Sequence, residues 1–101
     1  MRQKRKPAHP GRILNNMYLK PLSLTITKLA DTLNVSRKAI SAIINEHKSV
    51  TPEMALRLAQ AFNTTPDFWL NLQKNYDLWC VINRTTEWQE VPRIDMTMQP
   101  A

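Results

Sequence analysis

The stretch Ile26–Asn45, ITKLADTLNVSRKAISAIIN, decides how this chain folds. Ile26, Leu29, Ala30 and Leu33 recur at the three-and-four spacing of one buried helical face. Asn34 follows where the chain must reverse, and Asn tolerates left-handed backbone better than most residues. Val35 plugs the gap, and Ser36 is a good N-cap for a second helix whose buried face is Ile40, Ile43 and Ile44. Ala30 is small where the two helices cross, as a helix-turn-helix requires. Arg37, Lys38, Ser41 and Asn45 are left facing outward, and these are residue types that meet DNA bases and phosphates. Any α-hairpin buries one face and shows polar residues on the other. The cap, the turn, the small crossing residue and the basic start of the second helix separate this stretch from that bland alternative and point to a DNA-binding helix-turn-helix.

Composition supports a small helical domain. A chain of 101 residues has room for one domain and one modest core. Its 43% apolar but only 7% aromatic content, with one Gly and seven Pro, suits a helical bundle better than a sheet. A net charge of +6 favours a polyanionic partner without distinguishing DNA from RNA or an anionic membrane. No apolar run approaches membrane-spanning length, and no signal-peptide apolar region follows the basic N-terminus. The single cysteine excludes an intramolecular disulfide and fits a reducing cytoplasm.

Outward from the central stretch, residues 1–9 are basic and lack any apolar period. They read as a flexible arm, either simply solvated or carrying Arg2, Lys4, Arg5 and Lys6 to DNA phosphates. His9 has no metal-ligating companion at useful spacing and fits a surface or capping role. A first helix runs from Pro10 to about Lys20, with Ile13, Leu14, Met17 and Tyr18 inward and Pro21 marking its end. Leu22 and Leu24 tuck under the bundle. Glu46–Val50 is a polar loop in which His47 reads as an exposed loop residue. Thr51-Pro52-Glu53 and Thr65-Pro66-Asp67 repeat one helix-start signal: hydroxyl cap, Pro, then acid. The fourth helix ends near Phe62.

The fifth helix, about Pro66 to Asn83, has a stripe of Phe68, Leu72, Trp79 and Ile82, widened by Trp69, Tyr76 and Cys80. Leu70, Leu78 and Val81 add apolar character away from that stripe. The excess implies a second contact surface: a wrapping C-terminal tail or, the simpler reading, a homodimer interface through Trp69, Leu70, Tyr76, Leu78 and Trp79. Residues 84–101 lose the helical period and read as a flexible tail rather than a little strand or turn around Glu87 to Ile94, with Trp88 and Ile94 the residues that would dock it. The domain proper is therefore 10–83.

Several segments together resemble one family. They are His9-Pro10-Gly11, KLADTLNVSRKAISAIIN, VTPEMALRLAQAF and TTPDFWLNLQKNYDLW, spanning roughly residues 9–79. The helix-turn-helix resembles the Cro/C1 repressor class, and the whole layout resembles the HigA (or VapI) antitoxins. The block after the fourth helix, Pro-Asp-Phe-Trp-Leu-Asn-Leu-Gln, is its most specific part. The resemblance implies an all-α, five-helix, lambda-repressor-like DNA-binding domain. It also implies neutralisation of a HigB-like, mRNA-cleaving toxin and, as a dimer, repression of the operon through operator DNA. The loop Glu46-His47-Lys48 departs from the family in lacking Gly.

For the DNA itself, Arg37 and Lys38 suit guanine O6 and N7, Ser41 suits a base or a phosphate, and Ala42 suits a thymine methyl. Thr27, Lys28, Ser36, Asn45 and Lys48 are candidates for phosphate contacts. Catalysis fits poorly. The two histidines are far apart, no metal-ligand spacing exists, and a chain with one Gly has no Gly-rich phosphate loop. Cys80 lacks a nearby His and reads as a structural thiol. No metal, cofactor or membrane is expected. The competing readings are a stand-alone repressor without a toxin and an interaction module whose basic face meets RNA or an acidic protein.

Overall fold

Five helices carry the chain from Pro10 to Arg84 in the computed structural model, which describes residues 5–98. Arg2 and Lys4 of the arm lie outside the described residues. The first helix, α1 (residues 10–22), is α-helical at Pro10–Ile13, π-helical at Leu14–Leu19 and α-helical again at Lys20–Leu22. It is followed by α2 (Ile26–Leu33), α3 (Arg37–Ile44), α4 (Pro52–Phe62) and α5 (Pro66–Arg84), then short 3-10 turns at Glu87–Glu90 and Met96–Met98. There is no strand among the described residues.

The first helix corrects the sequence reading in two ways. It does not stop before Pro21 but runs to Leu22 and ends on Ser23, whose φ of 52° is left-handed. The π turn, in which the Lys20 N–H donates to the Asn15 carbonyl, widens the helix just ahead of the proline. That relieves the collision a proline ring makes with the carbonyl four residues back. The extra residue per turn also rotates the buried face. Leu19 is buried where Met17 was expected, and Met17 and Leu22 are exposed.

The helix-turn-helix matches expectation in detail. Thr25 caps α2 by accepting from the Lys28 N–H at 3.0 Å, and Ser36 caps α3 by accepting from Ala39 at 3.0 Å. Between them Asn34 is left-handed, with φ 58° and ψ 47°. Val35 packs against the core and its N–H donates to the Ala30 carbonyl at 3.0 Å. Thr51 and Thr65 cap α4 and α5 in the same manner, each bonding the third residue on at 3.2 Å.

Side chains of all five helices meet in the core. Leu14, Leu29, Ile40, Leu58 and Trp69 are fully buried there. Trp69 is therefore not on a partner surface, contrary to its assignment to the dimer interface. The face of α5 turned inward centres on Trp69 and Gln73, while Phe68 is 38% exposed. Apolar residues lie nearly all round α5, so periodicity alone does not set its rotation. Two polar anchors do: the Trp69 indole donates to Thr64 Oγ1 at 2.8 Å, and Gln73 Oε1 accepts from the Val50 N–H at 2.8 Å. A third tie joins α4 to the helix-turn-helix. Arg57 Nη1 donates to the Leu33 carbonyl at 2.7 Å, satisfying an orphan acceptor at the end of α2.

Gly11 is where α1 meets the back of α3. A Cβ there would overlap the Ile43 carbonyl oxygen and sit 2.7 Å from its carbon, both backbone atoms that cannot step aside. Gly11→Ala is expected to destabilise the domain by about 1–3 kcal/mol, the usual cost of overpacking. A thermal melt monitored by circular dichroism checks this. An unchanged melting temperature would show that α1 can lift off α3 freely.

Candidate nucleic-acid interface

The outer face of α3 is polar because its inner face is consumed by Ile40 and Ile43. An open concavity of about 560 Å³ is lined by Ile26, Arg37, Lys38, Ser41, Ala42, Asn45 and His47. All four residues assigned to base edges, Arg37, Lys38, Ser41 and Ala42, therefore share one surface, together with Asn45. Asn45 Nδ2 donates to Ser41 Oγ at 3.3 Å, which orients the amide along the helix. Thr27, Lys28, Ser36 and Lys48 are exposed but outside the lining. Thr27 and Lys28 stand in the first turn of α2, where the helix dipole favours an anion. The Ser36 oxygen is occupied as a helix cap. The one ion pair among the described residues is Arg57–Glu53 at 3.1 Å, so Lys28, Arg37, Lys38 and Lys48 carry charge that no acid pairs with.

His47 is the residue the sequence reading passed over. The end of α3 is a Schellman turn in which the His47 N–H donates to Ala42 at 2.8 Å and the Glu46 N–H to Ile43 at 3.0 Å. Such a turn needs a left-handed residue, a conformation that favours Gly, and Glu46 supplies it at φ 63°. The reversal returns His47 to the concavity. A glycine at position 46 would have revealed the turn in the sequence; a glutamate hid it.

The root of the arm packs behind this loop. His9 is buried, at 3% exposure, and its Nδ1 accepts from the Gly11 N–H at 2.9 Å. The capping role holds and the surface role does not. Its ring meets Tyr76 edge-on at 4.8 Å, and Lys6 Nζ stands over the Tyr76 and Trp79 rings at 5.4 and 5.6 Å. Burial pushes the His9 pKa below the ordinary 6.5, partly offset by the charges of Glu46 and Asp77. The cap needs a neutral imidazole, so its contribution is complete above pH 6.5 and is lost as pH falls through the lowered value. The melting temperature is expected to drop as pH falls below about 6.5 by more in the native chain than in His9→Asn, which caps without titrating. Parallel curves for the two proteins would contradict this.

Elsewhere on α5, Leu78 is 48% exposed, Leu70 and Trp79 are half-buried, and Tyr76 is spent largely on His9 and Lys6. Among the described residues no three His, Cys, Asp or Glu side chains are grouped to hold a metal, and no helix is long and apolar enough to cross a membrane.

Comparison with known proteins agrees with this geometry. Residues 17–69 match the family described as Helix-turn-helix. The Escherichia coli K12 protein YbaQ, an uncharacterised HTH-type transcriptional regulator, is 52% identical over 91 residues, covering 90% of this chain and 80% of YbaQ. Antitoxin HigA-1 of Vibrio cholerae is 39% identical over 84 residues, covering 83% of this chain and 79% of HigA-1. The structure of antitoxin GraA in complex with its operator superposes with a TM-score of 0.83 at 33% identity, covering 94% of this chain and 98% of GraA. The fold, the helix-turn-helix and these likenesses together place the chain in the helix-turn-helix family of DNA-binding regulators to which the HigA antitoxins belong.

Proposed function

We propose that this chain is an antitoxin that represses its own operon and neutralises a HigB-like, mRNA-cleaving toxin. The observation that carries the DNA half is the gathering of Arg37, Lys38, Ser41 and Ala42 on one concave face of α3. Arg37 and Lys38 read guanine edges, Ser41 bonds a base or phosphate, and Ala42 meets a thymine methyl. Thr27, Lys28, Ser36, Asn45 and Lys48 hold phosphates and fix the docking. His47 joins that set from the far end of the same concavity. Two chains paired through the exposed side of α5, with Leu70, Leu78 and Trp79, present two α3 helices to a palindromic operator. The toxin half rests on similarity to HigA-1. The chain acts by binding rather than catalysis, in the cytoplasm where operator and toxin are found.

The similarity to YbaQ, described as a transcriptional regulator, favours a second reading: a repressor with no toxin partner. Co-expression with the adjacent small reading frame separates the two. An antitoxin co-purifies with that product and reverses its growth arrest. A repressor leaves the arrest in place.

A further inference from the structure

Helix α5 ends unlike the other four. The chain turns back after α1, α2, α3 and α4 on left-handed residues, Ser23, Asn34, Glu46 and Asn63. After α5 it leaves on Thr85 in extended conformation, φ −140° and ψ 152°. Residues 85–98 follow with almost all of their side chains exposed. They are not featureless: Glu87–Glu90 and Met96–Met98 form 3-10 turns, and the Trp88 indole donates to the Thr85 carbonyl at 2.9 Å. None of their side chains packs into the core. Trp88, Val91, Ile94 and Met96 are 39–79% exposed.

The radius of gyration is 17.7 Å, whereas a compact domain of this length has about 13 Å. The same chain also carries an unfilled receptor for such a segment. An open groove on α5 is lined by Val50, Leu70, Leu78 and Val81, with Lys74 and Asp77 among its polar members. The tail is acidic, with Arg93 against Glu87, Glu90 and Asp95, in a chain of net charge +6. Apolar knobs and an apolar groove thus coexist on one chain, and none of the tail's side chains lines the groove. A two-fold pairing satisfies both sets at once without a third component.

We propose that residues 85–98 of one copy lie in the α5 groove of a second copy, reciprocally, so that the C-terminal segments are exchanged arms of the dimer. This rests on the dimer of the preceding subsection and specifies what holds it together. The test uses full-length chains in a Cys80→Ser background. One carries Val81→Cys and a differently tagged one carries Ile94→Cys, and the two are mixed and treated with a short bis-maleimide. A mixed covalent dimer is expected, with only monomer from a chain bearing either cysteine alone. Sedimentation equilibrium is expected to show the dimer Kd weakened at least tenfold by Trp88→Ser plus Ile94→Asp, with an unchanged melting temperature of the subunit. Met17→Asp, on exposed α1, is expected to leave the Kd unchanged. A native chain that stays monomeric would overturn the dimer itself. A native dimer that gives no mixed product and is indifferent to the tail variant would overturn the exchanged arms alone. So would a tail variant that dimerises normally but no longer captures the product of the adjacent reading frame, since the occupant would then be that protein.

Discussion

Replacing Trp69 by alanine is expected to remove about 3–5 kcal/mol of stability, the cost of deleting a fully buried large ring. The side chain is 0% exposed. It lies between Tyr18 and Phe62, with ring centroids at 5.4 and 6.4 Å, and Phe68 meets it edge-on at 5.0 Å. Those partners belong to α1, α4 and α5, so the void would open where three helices join. The Thr64 hydroxyl would also lose its indole donor. A domain of this size holds only about 5–15 kcal/mol in total, so Trp69→Ala is expected to be partly unfolded at 37 °C. Urea denaturation checks it. Trp69→Phe keeps most of the ring and is expected to lose less than half as much. Equal losses for the two variants would mean that the hydrogen bond, not the volume, carries the site.

The second large effect falls on binding, with the fold left intact. Arg37→Ala together with Lys38→Ala is expected to lower operator affinity by roughly 30-fold or more, since each side chain supplies about 1–3 kcal/mol of base discrimination. Both are exposed and neither anchors the core, so the melting temperature should not fall. Alanine is, if anything, the better helix former. Lys28→Ala gives the contrast. A phosphate contact carries no sequence information, so affinity should drop for operator and scrambled duplex alike, with the salt dependence shallower by about one counterion. Anisotropy titrations of both variants on both duplexes separate the two roles. If Arg37 and Lys38 behaved as Lys28 does, α3 would not be reading bases.

How far the sequence carried depends on the distance over which each feature is determined. The helix-turn-helix was legible because its signals are local: apolar spacing within α2 and α3, Asn34 at the reversal, Ser36 at the cap. The starts of α4 and α5 were legible for the same reason, each announced by a Thr-Pro pair. That Arg37, Lys38, Ser41 and Ala42 share one outer surface of α3 followed once the buried face was known. The rotation of α5 was not legible, because apolar residues surround it and the choice of Trp69 over Phe68 is made by Thr64 and Val50. Arg57 reaching the Leu33 carbonyl, and Gln73 reaching Val50, join residues 24 and 23 positions apart, which no local pattern encodes. The π turn of α1 shifted Met17 out and Leu19 in by a change of register that helical periodicity assumes away. His47 was hidden because the left-handed residue that aims it is a glutamate.

The central claim is that α3 reads a two-fold operator, and one titration addresses it directly. Full-length chain is titrated into duplex taken from the DNA upstream of its own reading frame and into a scrambled duplex of equal length, at two salt concentrations, followed by footprinting. The expected result is two chains per duplex, at least 1,000-fold preference for the upstream DNA, and two protected half-sites about 34–36 Å apart. Equal affinity for the two duplexes at both salt concentrations, or a single unpaired footprint, would contradict it.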